Sequence, residues 1–217
     1  MPIAYHVIFG AYGFWLPNDP RGSWSEYVYN EQLLQFGEAT HVHRTSVGGF
    51  ACETANGSRA RVPHDVQQRL AAKQVLKYPP VIFTGHQALA VSRGFSRVVR
   101  DTQLQIYACA IMPDHVHFVF GNHPRAIKTL VGQLKACATM QLNEEGLNPL
   151  AVSLAKPDGT VSQAKPLTKP PSPWARGCWK VFLDTEKDVQ RAIHYVEQNP
   201  VKAGLRPQKW SFVVPYR

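Results

Sequence analysis

Two short runs of this sequence combine residue types and spacing that could do chemistry. The first is His115-Val116-His117. In a β-strand, residues two apart point to the same face, so both imidazoles would project together while Val116 faces the other way. Two imidazoles side by side can hold one divalent metal. The second run is Tyr195-Val196-Glu197-Gln198-Asn199-Pro200. On a helix Tyr195 and Asn199 are i and i+4 and share a face. An amide oxygen could complete a metal site begun by two imidazoles and leave open positions for a phosphate oxygen. A tyrosine beside that phosphate could then attack it.

Each run also has a plainer reading. Taken alone, His115 and His117 are equally well read as strand histidines hydrogen-bonded in or beside a core. For Tyr195 taken alone, a tyrosine packed in the core under an amphipathic helix is the better reading. A second triplet, His41-Val42-His43, lies in polar, glycine-rich surroundings without a strand pattern. A metal ligand needs a rigid support that fixes its geometry. His115 and His117 are therefore preferred, and His41 and His43 read as surface loop histidines. The third donor is open between Asn199 and Gln198, because a residue before proline, as Asn199 is, disfavours helical geometry.

The elements that must position these groups can be read from periodicity. Ala4 to Tyr12 is dense in β-branched and aromatic residues and is expected to be a strand. Pro17-Asn18-Asp19-Pro20-Arg21-Gly22 reads as a turn or loop, and about Asn30 to Pro63 is polar and weakly patterned. Val66 to Leu76 has helical spacing, ended by Pro79 and Pro80. Val81 to Thr84 reads as a short strand and about His86 to Thr102 as a helix. Gln105 to Met112 and His115 to Gly121 read as strands whose short connection at Pro113-Asp114 implies an antiparallel hairpin. Pro124 then opens a helix with Ile127, Leu130, Val131, Leu134, Cys137 and Ala138 on one face. Lys128 and Lys135, seven apart, also share a face of it.

After Gly146 the chain is rich in Pro, Lys and Ser as far as Pro173, which reads as a loop rather than a domain linker. Cys178 to Leu183 is a last strand, and Glu186 to Gln198 a helix stopped before Pro200. The order strand, helix, hairpin, helix, strand, helix defines an α+β fold. It is the ferredoxin-like or RRM-like split βαβ, with a central antiparallel sheet and helices on one face. One domain is expected over residues 1–217, with loop elaborations at about 13–62 and 146–177.

Composition narrows the partners. With 44% hydrophobic and 11% aromatic residues the chain is globular rather than disordered. Its formal net charge of +9 points to a polyanion, either nucleic acid or an anionic membrane. The basic residues form no polybasic tail, so a folded, positive groove for nucleic acid is expected. No apolar run reaches the roughly 18 residues of a membrane span. The apolar start, Ala4 to Leu16, lacks the features of a signal peptide. Cys52, Cys109, Cys137 and Cys178 are scattered, without zinc-binding spacing, and are expected to be reduced and packed.

Together, Met112-Pro113-Asp114-His115-Val116-His117 and Tyr195-Val196-Glu197-Gln198-Asn199-Pro200-Val201-Lys202-Ala203-Gly204-Leu205 resemble the REP-associated tyrosine transposases. These are single-tyrosine HUH transposases of the IS200-like family. The resemblance runs from the first strand to Trp210-Ser211-Phe212, and the strand from Trp179 leading to the tyrosine helix shares it. It implies that His115 and His117 are metal ligands, Asn199 the third ligand and Tyr195 the nucleophile. The implied cofactor is Mg²⁺ or Mn²⁺. The implied activity is cleavage and rejoining of single-stranded DNA beside a hairpin, through a 5′-phosphotyrosine. A monomer and a homodimer are both open. A cytoplasmic, nucleoid-associated bacterial protein with no membrane partner is expected.

Phosphate contacts would come from Lys128, Lys135, Lys202 and Arg206, and base stacking from aromatics such as Trp15, Trp24 and Trp174 near Arg21, Lys169 and Arg176. For each of these an ordinary solvated charge or packed ring is the more common role. Three other readings compete. An RRM-like binder would want exposed aromatics where the strand from His115 has histidines. A replication initiator or relaxase would commonly carry other tyrosine arrangements and further domains. A degenerate or domesticated transposase would bind hairpin DNA without cutting it.

Overall fold

The structure, a computed structural model, describes residues 2–17, 28, 31–37, 65–152 and 170–217. In chain order the elements are β1 (Ala4–Gly10), α1 (Glu31–Leu34), α2 (Val66–Gln74), α3 (Gly85–Thr102), β2 (Ile106–Ile111), β3 (His115–Gly121), α4 (Ile127–Glu144), α5 (Pro149–Val152), β4 (Trp179–Leu183) and α6 (Glu186–Lys202). They fall into two compact units, Gly13–Pro80 and the rest of the chain. In the smaller unit Leu16, Leu33 and Ala72 form a core with Val28, Phe36, Val75 and Leu76 packed on it. Helix α2 there starts at Asp65, whose carboxylate accepts from the Gln68 N–H.

The larger unit carries the sheet. Its strand order is β2-β3-β1-β4 and every pairing is antiparallel. This is the expected split βαβ arrangement, in which α3 joins β1 to β2 and α4 joins β3 to β4. The β2–β3 hairpin closes where the Met112 N–H donates to the His115 carbonyl, with Pro113 and Asp114 in the turn.

Alternation along the strands sorts the two faces. One carries Val7 and Phe9 of β1 opposite Phe118 and Val116 of β3. Phe9 and Phe118 meet Phe95 of α3 edge-on, and the ammonium of Lys135 of α4 sits 5.0 Å from the centre of the Phe9 ring. Both crossover helices therefore lie on this face, as expected. The terminal helix α6 does not. Its buried stripe Val189, Ala192, Tyr195, Val196 and Pro200 covers the opposite face, where His6 of β1 and His117 of β3 point. That face is lined on β2 by Ala108 and Ala110, opposite Val119 and His117, and small side chains there let α6 approach the sheet.

Three expectations need correction. Residues Val81 to Thr84 form no strand. The Val81 and Phe83 N–H groups donate to the carbonyls of Tyr12 and Pro113, two separate segments, so no ladder develops although the side chains alternate inward and outward. Helix α6 does not stop before Pro200 but runs to Lys202. Pro200 removes one N–H, yet the following turn is closed by Ala203 and Leu205 donating to the Asn199 and Pro200 carbonyls, with Gly204 at φ +73°. Trp174 is no stacking platform, since it is 5% exposed and packs on Phe9, Phe83 and Phe95.

The C-terminal segment finishes the sheet. The Gln208 side-chain amide exchanges two hydrogen bonds with the Ile111 backbone, and the Val214 N–H donates to Ile106, so the β2 edge is paired. Cys109 is buried and Cys137 and Cys178 half-buried, all as free thiols. Cys52, His41, His43, Arg21, Trp24 and Lys169 lie outside the described residues. Among the described residues no helix is long and apolar enough to cross a membrane.

Candidate active site

Strand β3 and helix α6 bring the two chemical runs together. His115 and His117 point from the same face, with ring centres 4.8 Å apart. The ring of Tyr195 lies 5.7 Å from that of His117. One helical turn on, Asn199 keeps the same face because α6 continues through Pro200. Its amide nitrogen is buried and has no hydrogen-bond partner among the described residues. An amide can turn over and offer its oxygen in the same place.

The surroundings set the state of each imidazole. Asp114 Oδ1 lies 2.6 Å from His115 Nδ1, at the rim of the site. His117 is 2% exposed, and burial holds its pKa well below the usual imidazole range, with His115 and His6 pushing the same way. It is therefore neutral near pH 7, the form that ligates metals. The motifs had not pointed to His6. It stands in β1 with its Nε2 3.2 Å from His117 Nδ1, and burial lowers its pKa to about 4. Its ring centre is 5.7 Å from that of Tyr195. A histidine inside the apolar run Ala4 to Phe9 was the available signal, because a buried polar side chain needs a partner.

These residues fit a divalent cation. Among the described residues no three His, Cys, Asp or Glu groups converge as a metal cage. A complete site on this face would therefore need a donor of another kind, which the buried amide of Asn199 can be. Gln198, the alternative, is half-buried one position earlier and lies about 60° around the helix from Tyr195, against about 40° for Asn199.

The basic residues are distributed unevenly. Lys202, on the last turn of α6, holds its ammonium 5.6 Å from the centre of the Tyr195 ring. Arg206 is exposed just beyond it. Lys128 is exposed on α4, across the sheet from the histidines, and its charge acts on the Cys178 thiol. Lys135 turns inward, where its ammonium donates to the carbonyls of Ala175 and Gly177. Burial lowers its pKa to about 8.

Fold and site together define an antiparallel α+β protein with paired strand histidines facing a helix tyrosine. Residues 74–153, which include His115 and His117, match the family described as transposase IS200 like. The resemblance read from the two motifs is borne out over that segment; Tyr195 lies beyond it. Among solved structures the chain is similar to a REP-associated tyrosine transposase bound to a REP hairpin, at 19% identity and a TM-score of 0.40. That match covers 59% of this chain and 64% of the other, under two thirds of its length. It is also similar to a candidate transposase of Deinococcus radiodurans R1, at 12% identity and a TM-score of 0.35, covering 91% of both chains. No curated protein sequence matches it.

Proposed function

We propose that the chain is a metal-dependent transposase that nicks and rejoins single-stranded DNA at hairpin-flanked sites, with Tyr195 as nucleophile. The observation that carries this reading is the packing of the Tyr195 ring against His117, with His115 beside it on one strand. His115, His117 and Asn199 are the residues that would hold the cation. A divalent cation held there, Mg²⁺ or Mn²⁺, would supply charge neutralisation for the scissile phosphate.

Tyr195 Oη attacks the phosphorus, a phosphotyrosine ester to the 5′ side forms, and the bond to the 3′ oxygen breaks. The tyrosine proton is lost and the departing 3′ oxygen gains one, so the products are the ester and a free 3′-hydroxyl. Because a phosphoester replaces a phosphoester, rejoining needs no ATP. A free tyrosine has a pKa of about 10 and is mostly protonated at neutrality, so an adjacent positive charge helps the attack. Lys202 over the ring is placed to provide one. It and Arg206 would also meet DNA phosphates.

A second reading is supported by one observation. Tyr195 is 5% exposed and its hydroxyl is buried, so a phosphate reaches it only if α6 moves from the sheet. A chain locked in this arrangement would bind hairpin DNA without cutting it. End-labelled single-stranded DNA carrying hairpins, incubated with Mn²⁺ and run on a denaturing gel, separates the two. A covalent adduct in wild type that vanishes in Tyr195→Phe is expected. Hairpin binding with no adduct in either protein would establish the binder, and an adduct that survives in Tyr195→Phe would remove Tyr195 as nucleophile.

A further inference from the structure

His6 belongs to neither motif, yet its Nε2 lies 3.2 Å from Nδ1 of His117. The β1–β3 register pairs His6 with Val119 and Ile8 with His117, so the two histidines are diagonal neighbours on one face. Their rings stack at 17° with centres 5.4 Å apart, and both residues are 2% exposed. Two neutral imidazoles meeting nitrogen to nitrogen at 3.2 Å share one proton, and one of them must accept.

The tautomer follows from what His117 has to do. Its Nδ1 is occupied by His6, so a cation takes Nε2 and needs the lone pair there. The ring proton of His117 then sits on Nδ1 and is donated to His6 Nε2. His115 is held the same way, with Asp114 on its Nδ1. Each ligand is thus gripped on one ring nitrogen and presents the other, the arrangement by which outer partners fix metal-binding histidines. His6 turns its Nε2 to His117 Nδ1, the nitrogen away from the proposed cation, and so supports a ligand rather than acting as one.

We propose that His6 is a positioning residue: by accepting the Nδ1–H of His117 it fixes that ring's tautomer and angle and directs Nε2 at a divalent cation. This rests on the metal-dependent reading above, and the test separates the two. Long-range ¹H–¹⁵N spectra of the metal-free full chain report which nitrogen of His117 carries the proton. Mn²⁺ affinity, measured by calorimetry and electron paramagnetic resonance without DNA, reports the consequence.

His117 is expected as the Nδ1–H tautomer in wild type. In His6→Leu it should shift towards Nε2–H and Mn²⁺ affinity should fall about 10- to 100-fold. His6→Gln, whose amide oxygen can still accept, should recover most of both. An Nε2–H tautomer in wild type overturns the proposal, as does unchanged affinity in a folded His6→Leu. Loss of one metal-coordinated nitrogen in His6→Leu overturns it too, by making His6 a ligand. The expected tautomer in a wild type that binds no Mn²⁺ overturns the metal reading while leaving the His6–His117 bond standing.

Discussion

Gly94 of α3 faces Ala138 of α4 so closely that a Cβ on Gly94 would lie 2.6 Å from the Ala138 Cα and 2.7 Å from the Cys137 carbonyl oxygen. The obstacles are backbone atoms, which cannot rotate away. The two crossover helices therefore pack at a distance only glycine permits. Gly94→Ala should lower stability by about 1–3 kcal/mol through overpacking, although alanine is intrinsically the better helix former by about 1 kcal/mol. Urea denaturation measures it. A stabilised variant would mean that the helices can separate at little cost.

The Asp114–His115 pair makes a prediction about metal. A carboxylate 2.6 Å from Nδ1 holds the ring's orientation and leaves Nε2 to face the site. Asp114→Ala should weaken Mn²⁺ binding about 10- to 100-fold with little change in unfolding temperature of the metal-free protein. Equal affinities in calorimetry would show that the carboxylate serves only the hairpin turn.

Salt dependence distinguishes the lysines. A lysine neutralising one phosphate of a single strand contributes about 0.7 to the slope of log affinity against log salt. Lys202→Ala should reduce that slope by about this amount, since Lys202 stands beside Tyr195. Lys135→Met should leave it unchanged, because its ammonium is occupied by two carbonyls under the opposite face. Hairpin binding titrated at several salt concentrations reads both, and a slope lowered by Lys135→Met would place DNA on the α4 side.

Lys135 also gives the protein a pH signature. Its pKa falls from 10.5 to about 8 because burial disfavours the charged form. Between those values the unfolded chain carries the proton and the folded chain has lost it. Stability from this group therefore rises as pH climbs through that window and levels off above it. Urea midpoints of wild type should gain on those of Lys135→Met from about pH 8 to 10.5. A wild type that instead loses ground to Lys135→Met over that window would mean that the carbonyl contacts outweigh desolvation.

Local order was legible wherever side-chain period and punctuation agree. The strand from Ala4, the hairpin turning at Pro113-Asp114 and the helix from about His86 all follow from alternation, turn residues and helical spacing, which act over a few residues. The pairing of His115 with His117 belongs to the same class, because a pleated strand puts every second residue on one face. So does the i, i+4 relation of Tyr195 and Asn199. The continuation of α6 through Pro200 escaped that reading, because the turn after the proline is held by hydrogen bonds from Ala203 and Leu205 that no propensity records.

By itself, then, the sequence determined the four strands, the long helices between and after them, the antiparallel hairpin and the two runs that could do chemistry. Only the tertiary structure decided which faces meet. It put α6 on the side of the sheet away from α3 and α4, brought Tyr195 to His117, turned Lys135 inward and set His6 against His117 across 111 positions of chain. The physical reason is that periodicity fixes where a side chain points on its own element. Which element covers that face depends on long-range burial, and here the alanines of β2 leave room for the tyrosine helix to close over the histidines.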